Sequence, residues 1–440
     1  GGSGTAVTLA AGATQSGFGR TGTVDWQTGS IKTSTFTAVS GEGYFVNTSG
    51  GAVTVNLPAG SAGAIVSIKD YAQSFDTHNC SISPNGSEKI ENLTDDLVLA
   101  TEGIATTLVY GDATRGWQSV NSNEIVHAVK FVAATGGTTA DCGDFRTHTF
   151  TGPGTFEVTC GGNAAGSNQL EYVVVAGGGG GGSVQGGGGG GAGGFRFAAP
   201  TLAPLTYPGK PLAAPASITA TQESFPITIG AGGAGGPPGP GSRGSQGGPS
   251  TFSNITSTGG GGGGTGSPDP QLAGGPGGSG GGGGGRTYPN PNVGGSGNTP
   301  PVSPPQGNNG GNGRNTPSPP SDDRGGGGGG AIAAGANAGG ATDPAGPGGT
   351  GAGLPTAFGA NGVPCGSFRY YAGGGGGGLD AGSGTRGAGG LGGGGDGSPG
   401  TPTAAPGTAN TGGGGGGSGN ASCTEAPGGS GIVIIRYKFQ

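Results

Sequence analysis

The chain has 440 residues, of which 120 are Gly and 33 are Pro, with 9% charged residues and a formal net charge of −6. Pro and Gly at this level mark low-complexity or disordered sequence unless a period emerges. So thin a charge over such a length gives no pull toward nucleic acid or an acidic membrane.

Length alone predicts two or three domains. No apolar run reaches the ~18 residues of a membrane-spanning helix, so membrane insertion is not expected. Position 1 is not Met and the chain contains none. It is expected to be a fragment or a processed product, which leaves targeting segments unread.

Residues 1–125 read as an ordinary all-β domain. Short alternating runs recur: "GYFVNT" at 43–48, "AVTVNLP" at 52–58, "AIVSIKDY" at 64–71, "DLVLAT" at 96–101 and "TTLVYG" at 106–111. Strands at this spacing predict a sandwich or small barrel. Asn85-Gly86 inside "SISPNGSEKI" is a type I′ hairpin signal. No helical period is visible, so essentially no α-helix is expected.

Residues 126–175 form a second β segment. "FRTHTFTGPGTFEVTC" reads as strand, Gly-Pro-Gly turn, strand, and "LEYVVVAG" adds another. The chain ends on "GSGIVIIRYKF", a further β-branched strand. The simplest geometry pairs Tyr172–Val175 with Ile432–Tyr437 and closes residues 176–440 into one domain. "FPITIGAG" at 225–232 is a candidate to join that sheet.

Between the brackets lie seven runs of six glycines, at 177–182, 186–191, 259–264, 280–285, 325–330, 373–378 and 412–417. A fixed run length repeated seven times is a repeat signature. Collagen fails, because residues 195–208 contain no Gly. Sheet and α-helix fail on glycine's entropy and lack of a packing side chain. The remaining regular conformation is polyproline II, with three residues per turn and ~3.1 Å rise. It makes no internal hydrogen bonds, so each N–H and C=O needs a neighbour. Ordering a residue costs roughly 1–2 kcal/mol, and a net hydrogen bond returns about 0.5–1.5 kcal/mol. A lone glycine helix melts; a bundle framed by β-strands roughly breaks even. The competing reading is a disordered glycine linker, against which stand the low charge and the uniform runs.

Catalytic and metal chemistry are not expected. His78, His127 and His148 share no ligand spacing with Cys or carboxylates. Lys210 precedes Pro211, so no phosphate loop forms. Asp322-Asp323 beside Arg324 reads as a solvated turn. Six Asn-X-Ser/Thr sites matter only in a eukaryotic secretory context. No cofactor is implied. The five cysteines leave one unpaired. Cys142 and Cys160 flank one expected hairpin and are disulfide candidates, as are Cys365 and Cys423 near neighbouring glycine runs. Free thiols are the alternative.

The order "THTFTGPGTFEVT", "YVVVAGGGGGG", "ITIGAGGAGG", "STFSNITSTGGGGGG", "YYAGGGGGG", "NTGGGGGG" and "GGSGIVIIRY" resembles the glycine-rich domain of tailed-bacteriophage fibre and adhesin proteins. The likeness covers about residues 130–440. "TSTFTAVSGEGYFVNTSGGAVTVNLPAGSAGAIVSIKDY" is less distinctively similar to a β domain of phage tail fibres. The resemblance implies polyglycine II helices packed at a fibre tip. It implies loops that touch a host glycan or outer-membrane protein, a virion location and a homotrimer beside other fibre chains. The Pro-rich stretch 298–324 departs from the pattern.

Glycine helices offer no side chains, so recognition falls to loops. Loops combining aromatics with arginine are favoured as binding surfaces. Arg286 and Tyr288 are the first candidates, followed by Arg314 and Arg324 further along the same stretch. "SFRYY" at 367–371 also qualifies, with Tyr371 read instead as a cap on the bundle end. The alternatives are an ice-binding protein, which needs regularly spaced Thr or Ala, and a cell-surface structural or adhesin protein.

Overall fold

The computed structural model describes residues 24–121, 126–127, 129–237, 242–266, 271–285, 292–314, 323–339, 343–380, 384–400, 403–419 and 426–440. They divide into two compact units between Lys130 and Phe131. Among the described residues there is no α-helix, only strands and three short 3-10 turns.

In the first unit two five-stranded sheets enclose one core. Strands Glu42–Val46, Ile65–Asp70 and Ala105–Asp112 lie in one sheet; Val53–Asn56, Cys80–Ser83 and Leu97–Leu99 lie in the other. Alternation fixes their faces: Val53 and Val55 are buried while Thr54 and Asn56 are half-exposed. Glu42–Val46 pairs in parallel with Ile65–Asp70, and Val53–Asn56 in parallel with Cys80–Ser83. Successive strands thus cross between the sheets instead of doubling back. The expected hairpin at Asn85-Gly86 does not form. A type I′ turn needs left-handed backbone at both residues, and only Gly86 has it, at φ +58. Cys80–Ser83 pairs with Leu97–Leu99 instead.

The second unit carries the bracketing strands as the sequence predicts. Gln169–Val175 runs antiparallel to Ile432–Lys438, with Val175 opposite Ile432 and Tyr172 opposite Ile435. Phe145–Phe150 and Phe195–Ala198 flank this pair. Tyr172, Val174, Val433, Ile435 and Tyr437 meet Phe150, Phe156, Phe225 and Phe252 in one core. Val173, Val175, Ile432 and Ile434 join Phe195, Phe197, Leu354, Phe358 and Tyr371 in a second. A sheet apolar on both faces explains the unbroken valine and isoleucine runs.

Two expectations about this sheet need correction. Ser224–Thr228, within the 225–232 run, pairs with Gly154–Gly161 in a second sheet. Its buried and exposed residues alternate, which suits a sheet with one wet face. The Gly-Pro-Gly turn is not a hairpin either, because Phe145–Phe150 and Gly154–Gly161 belong to different sheets. Phe150 and Phe156 face each other across their shared core.

That arrangement removes the Cys142–Cys160 disulfide. Cys142 lies opposite Phe145 in one sheet and Cys160 opposite Ala133 in the other, and both are free thiols. Cys365 is exposed and free, as is buried Cys80, whose thiol burial pushes up to about 12. Cys423 lies outside the described residues.

Two buried polar groups tie the sandwich together. Arg436 pairs across the strands with Glu171, donates to Thr201 Oγ1 at 2.8 Å, and stacks 3.6 Å over the Phe145 ring. His148 is fully buried. Its Nδ1 lies 2.6 Å from the Gly136 carbonyl, which can only accept, so Nδ1 carries the proton. Nε2 then accepts from the Tyr437 hydroxyl at 2.9 Å. Burial, the largest cause, lowers the imidazole pKa; the nearby Arg146 lowers it further, against the Gly136 bond and Asp141. A base whose folded pKa lies below its unfolded value of about 6.5 binds fewer protons folded than unfolded. Stability is therefore expected to fall as pH drops from about 7 to about 5. Chemical denaturation of wild type and His148→Gln across that range checks this: the variant should lose that slope.

Candidate functional site

Gln169–Val175 feeds directly into residues 176–183, whose amides leave in three directions in rotation. Ala176, Gly179 and Gly182 donate to Gly194, Gly191 and Gly188. Gly177, Gly180 and Ser183 donate to Gly248, Ser245 and Ser242, while Gly178 and Gly181 donate to Gly429 and Ala426. Partners fall by three as donors rise by three, so each neighbour is antiparallel and the repeat is three residues. The carbonyls do the same: Gly177 and Gly180 accept from Gly260 and Gly263, Gly178 and Gly181 from Gly233 and Gly236, Gly179 and Gly182 from Gly415 and Ser418. One segment thus has six neighbours, three accepting from it and three donating to it.

The run 186–191 occupies the centre of this hexagonal array. Gly187, Gly188 and Gly189 donate to Ser418, Gly264 and Gly326. Gly187, Gly188 and Gly189 accept from Gly378, Gly182 and Gly282. Those six partners lie in, or directly beside, the six other six-glycine runs. The seven runs are therefore one central segment and its complete ring. Segments richer in Pro, Ala, Asn and Ser form the rim outside them.

The positions demand glycine for a steric reason. A Cβ on Gly188, Gly189 or Gly190 would sit 2.1 Å from the carbonyl oxygen of Gly282, Gly375 or Gly179 respectively. Three successive residues face three directions, so an enclosed segment has no position free for a side chain. At the rim only some directions are enclosed. In segment 230–237, Gly230, Gly233 and Gly236 are buried while Ala231, Ala234 and Pro237 are exposed.

The two ends of the array differ. At one end, segments pass into strands, as at Val175–Ala176, Gly194–Phe195, Tyr371–Ala372 and Gly431–Ile432. Tyr371 is fully buried there, its hydroxyl donating to the Asn361 carbonyl at 2.8 Å, and burial pushes its pKa up. The expected cap at the bundle end is therefore what Tyr371 provides. The far end is marked by bonds such as Gly285 to Gly186, Gly378 to Gly187, Gly313 to Asn292 and Asp380 to Asp323. Segments interrupted at 238–241, 267–270, 286–291, 315–322, 340–342, 381–383, 401–402 and 420–425 all break at this far end.

The sequence-chosen residues scatter accordingly. Arg286 and Tyr288 lie outside the described residues; the flanking Gly285 and Asn292 are at the far end. The Pro-rich stretch is not one loop, since 292–298 and 306–314 are segments of the array. Residues 299–305 connect them at the sheet end, where Phe195 donates to the Gln306 carbonyl. Arg314 is half-buried. Arg324 is fully buried, and Asp323 is only 6% exposed, so neither a surface contact at Arg324 nor a solvated turn at Asp323 survives. Arg324 directly precedes a ring segment and packs its guanidinium against Gly384. Its adjacency to six glycines was the signal that it is interior. Sequence reasoning also passed over the first unit's surface aromatics Trp26 and Tyr71, which lie either side of Phe45 with ring centroids 5.0 and 6.4 Å away.

Among the described residues no cluster of His, Cys, Asp or Glu could hold a metal, and no helix is long and apolar enough to cross a membrane. A hydrogen-bonded array of glycine segments, framed by strands, defines a mostly-β glycine-rich protein. Residues 147–438 match the family model described as a glycine-rich domain, and the chain belongs to that family. Comparison with curated proteins finds no match.

The array predicts where substitution is costly. Gly375→Val places a Cβ 2.1 Å from the Gly415 oxygen, with backbone on every side. Separating the segments leaves several amides unsatisfied, at about 1–3 kcal/mol each. Gly50→Ala, with nothing within 4 Å of the added carbon, is the control. Thermal melts should show a loss of about 3 kcal/mol or more for the first and within about 0.5 kcal/mol for the second; equal melting would remove Gly375 from the enclosed array.

Proposed function

We propose that this chain is a tail-fibre or adhesin protein of a tailed bacteriophage that attaches the virion to its host, without catalysis. In this reading the glycine segments are polyglycine II helices, and their three-residue hydrogen-bond rotation supports that conformation. The protein works outside the cell, on the virion. Its ligand is a cell-surface glycan or an outer-membrane protein, and it acts beside other fibre chains as a homotrimer.

The observation that carries the reading is the polarity of the array. One end is fixed by sheets apolar on both faces, and the other collects the segment connections. A backbone-only body is stiff and chemically silent, so variation in the connections leaves the body unchanged. This is the division of labour a binding tip requires. The exposed rim positions display Pro and Ala in mixed order, not the regular threonine rows of an ice-binding face.

Arg286 and Tyr288 remain the favoured contacts within this reading, as aromatic and guanidinium groups on a Pro-rich connection. The test replaces both with Ala and measures cell adsorption alongside the melting temperature. Adsorption should fall at least about ten-fold, the loss of one good contact, with the melt unchanged. Full adsorption removes this connection from the binding surface.

A further inference from the structure

An array of this kind has no built-in limit. A rim segment keeps outward-facing amides every third residue, and such unpaired rows recruit further chains as open sheet edges do. Most rim segments remove them. In 344–350, Ala345 and Gly348 donate to Thr385 and Ala388, and Gly346 and Gly349 to Gly325 and Gly328. The third row holds Pro344 and Pro347, both exposed and without an N–H. Pro276, Pro399, Pro406 and Pro427 take the equivalent place in four other rim segments, all exposed. Elsewhere a neighbouring side chain caps the amide. Asn312 Oδ1 accepts from Gly294 at 3.0 Å, Asn309 Oδ1 from Gly297 at 2.8 Å, and Asp396 Oδ1 from Gly389 at 2.8 Å.

Segment 230–236 departs from this pattern. Within the array it donates only through Gly233 and Gly236, to Gly178 and Gly181. The amides of Ala231 and Ala234, both exposed, take no acceptor among the described residues. Neither do those of half-buried Gly232 and Gly235. We propose that this rim docks a second copy of the chain, through the Ala231 and Ala234 amides, and that the prolines and capping side chains stop the array elsewhere.

Spacing identifies the occupant. A donor row repeating every three residues, about 9 Å apart, needs a carbonyl row of the same repeat on a surface lacking Cβ atoms. A sheet edge repeats every two residues, about 6.8 Å, and falls out of step. Another copy of this chain carries the matching repeat. Within the array, bonds such as those from 176–182 to 188–194 run one way, from a donor row to an acceptor row. The contact is therefore heterologous, the kind that closes into a ring. The inference rests on the array alone and stands apart from the host-binding reading.

Sedimentation velocity of the full chain over a concentration series tests it. Wild type should associate. A231P/A234P, which deletes both donors and leaves the Gly178 and Gly181 bonds intact, should associate at least about ten-fold more weakly with the same melting temperature. If the double variant melts early, A234P alone carries the same expectation. A wild type that stays monomeric, or a folded variant that associates as wild type does, overturns the proposal. P344A/P347A restores an outward row and should sediment as larger species; an unchanged size overturns the terminating role of the prolines.

Discussion

The structure depends on one constraint. An extended backbone with a three-residue repeat cannot bond to itself, so every amide and carbonyl must be met sideways by another segment. Segments can come that close only where no Cβ stands between them, and the 2.1 Å approaches around Gly188 to Gly190 leave no slack. Run length, run number and the composition of the rim follow from this. A segment ringed on all sides must be glycine throughout, and a segment at the rim needs glycine only where it faces inward.

Such an array buries almost no side chains, so the hydrophobic stabilisation that normally offsets chain entropy is missing from it. The framing sheets supply it. Val173, Val175, Ile432 and Ile434 pack with Phe195, Phe197 and Tyr371 where the chain passes between sheet and array. The opposite face of the same strands packs on Phe156 and Phe252. The Glu171–Arg436 pair, with Thr201 and Phe145 completing its surroundings, holds the register of the two bracketing strands. Register matters here more than in an ordinary sheet, because a slip would move every glycine segment past its neighbours and break the three-residue match.

The same geometry separates scaffold from surface. Enclosed glycine segments carry no recognition chemistry, and the rim offers Pro, Ala and capped amides. What remains for contact is the connections at the far end, the surface of the first unit, and the open row at Ala231 and Ala234. This economy fits a protein whose binding changes while its body does not.

The sequence by itself determined the strands, the absence of a helical period and the closure of residues 176–440 by their flanking strands. In each case the information is local: alternation in "AVTV", β-branched runs at 172–175 and 432–437, and a fixed six-glycine length. It also marked Tyr371 as a cap, because an aromatic entering a glycine run has only the bundle end to pack on. It did not determine which sheet Ser224–Thr228 or Gly154–Gly161 would join, since a Gly-Pro-Gly turn permits both a hairpin and a crossing between sheets. That error carried the Cys142–Cys160 disulfide with it. Nor could it say that Arg324 is interior while Ala231 is at an open rim. Both lie beside glycines, and their difference comes from how many of six neighbours surround each segment. That number is a property of the assembled array, because every neighbour is supplied by a distant part of the chain.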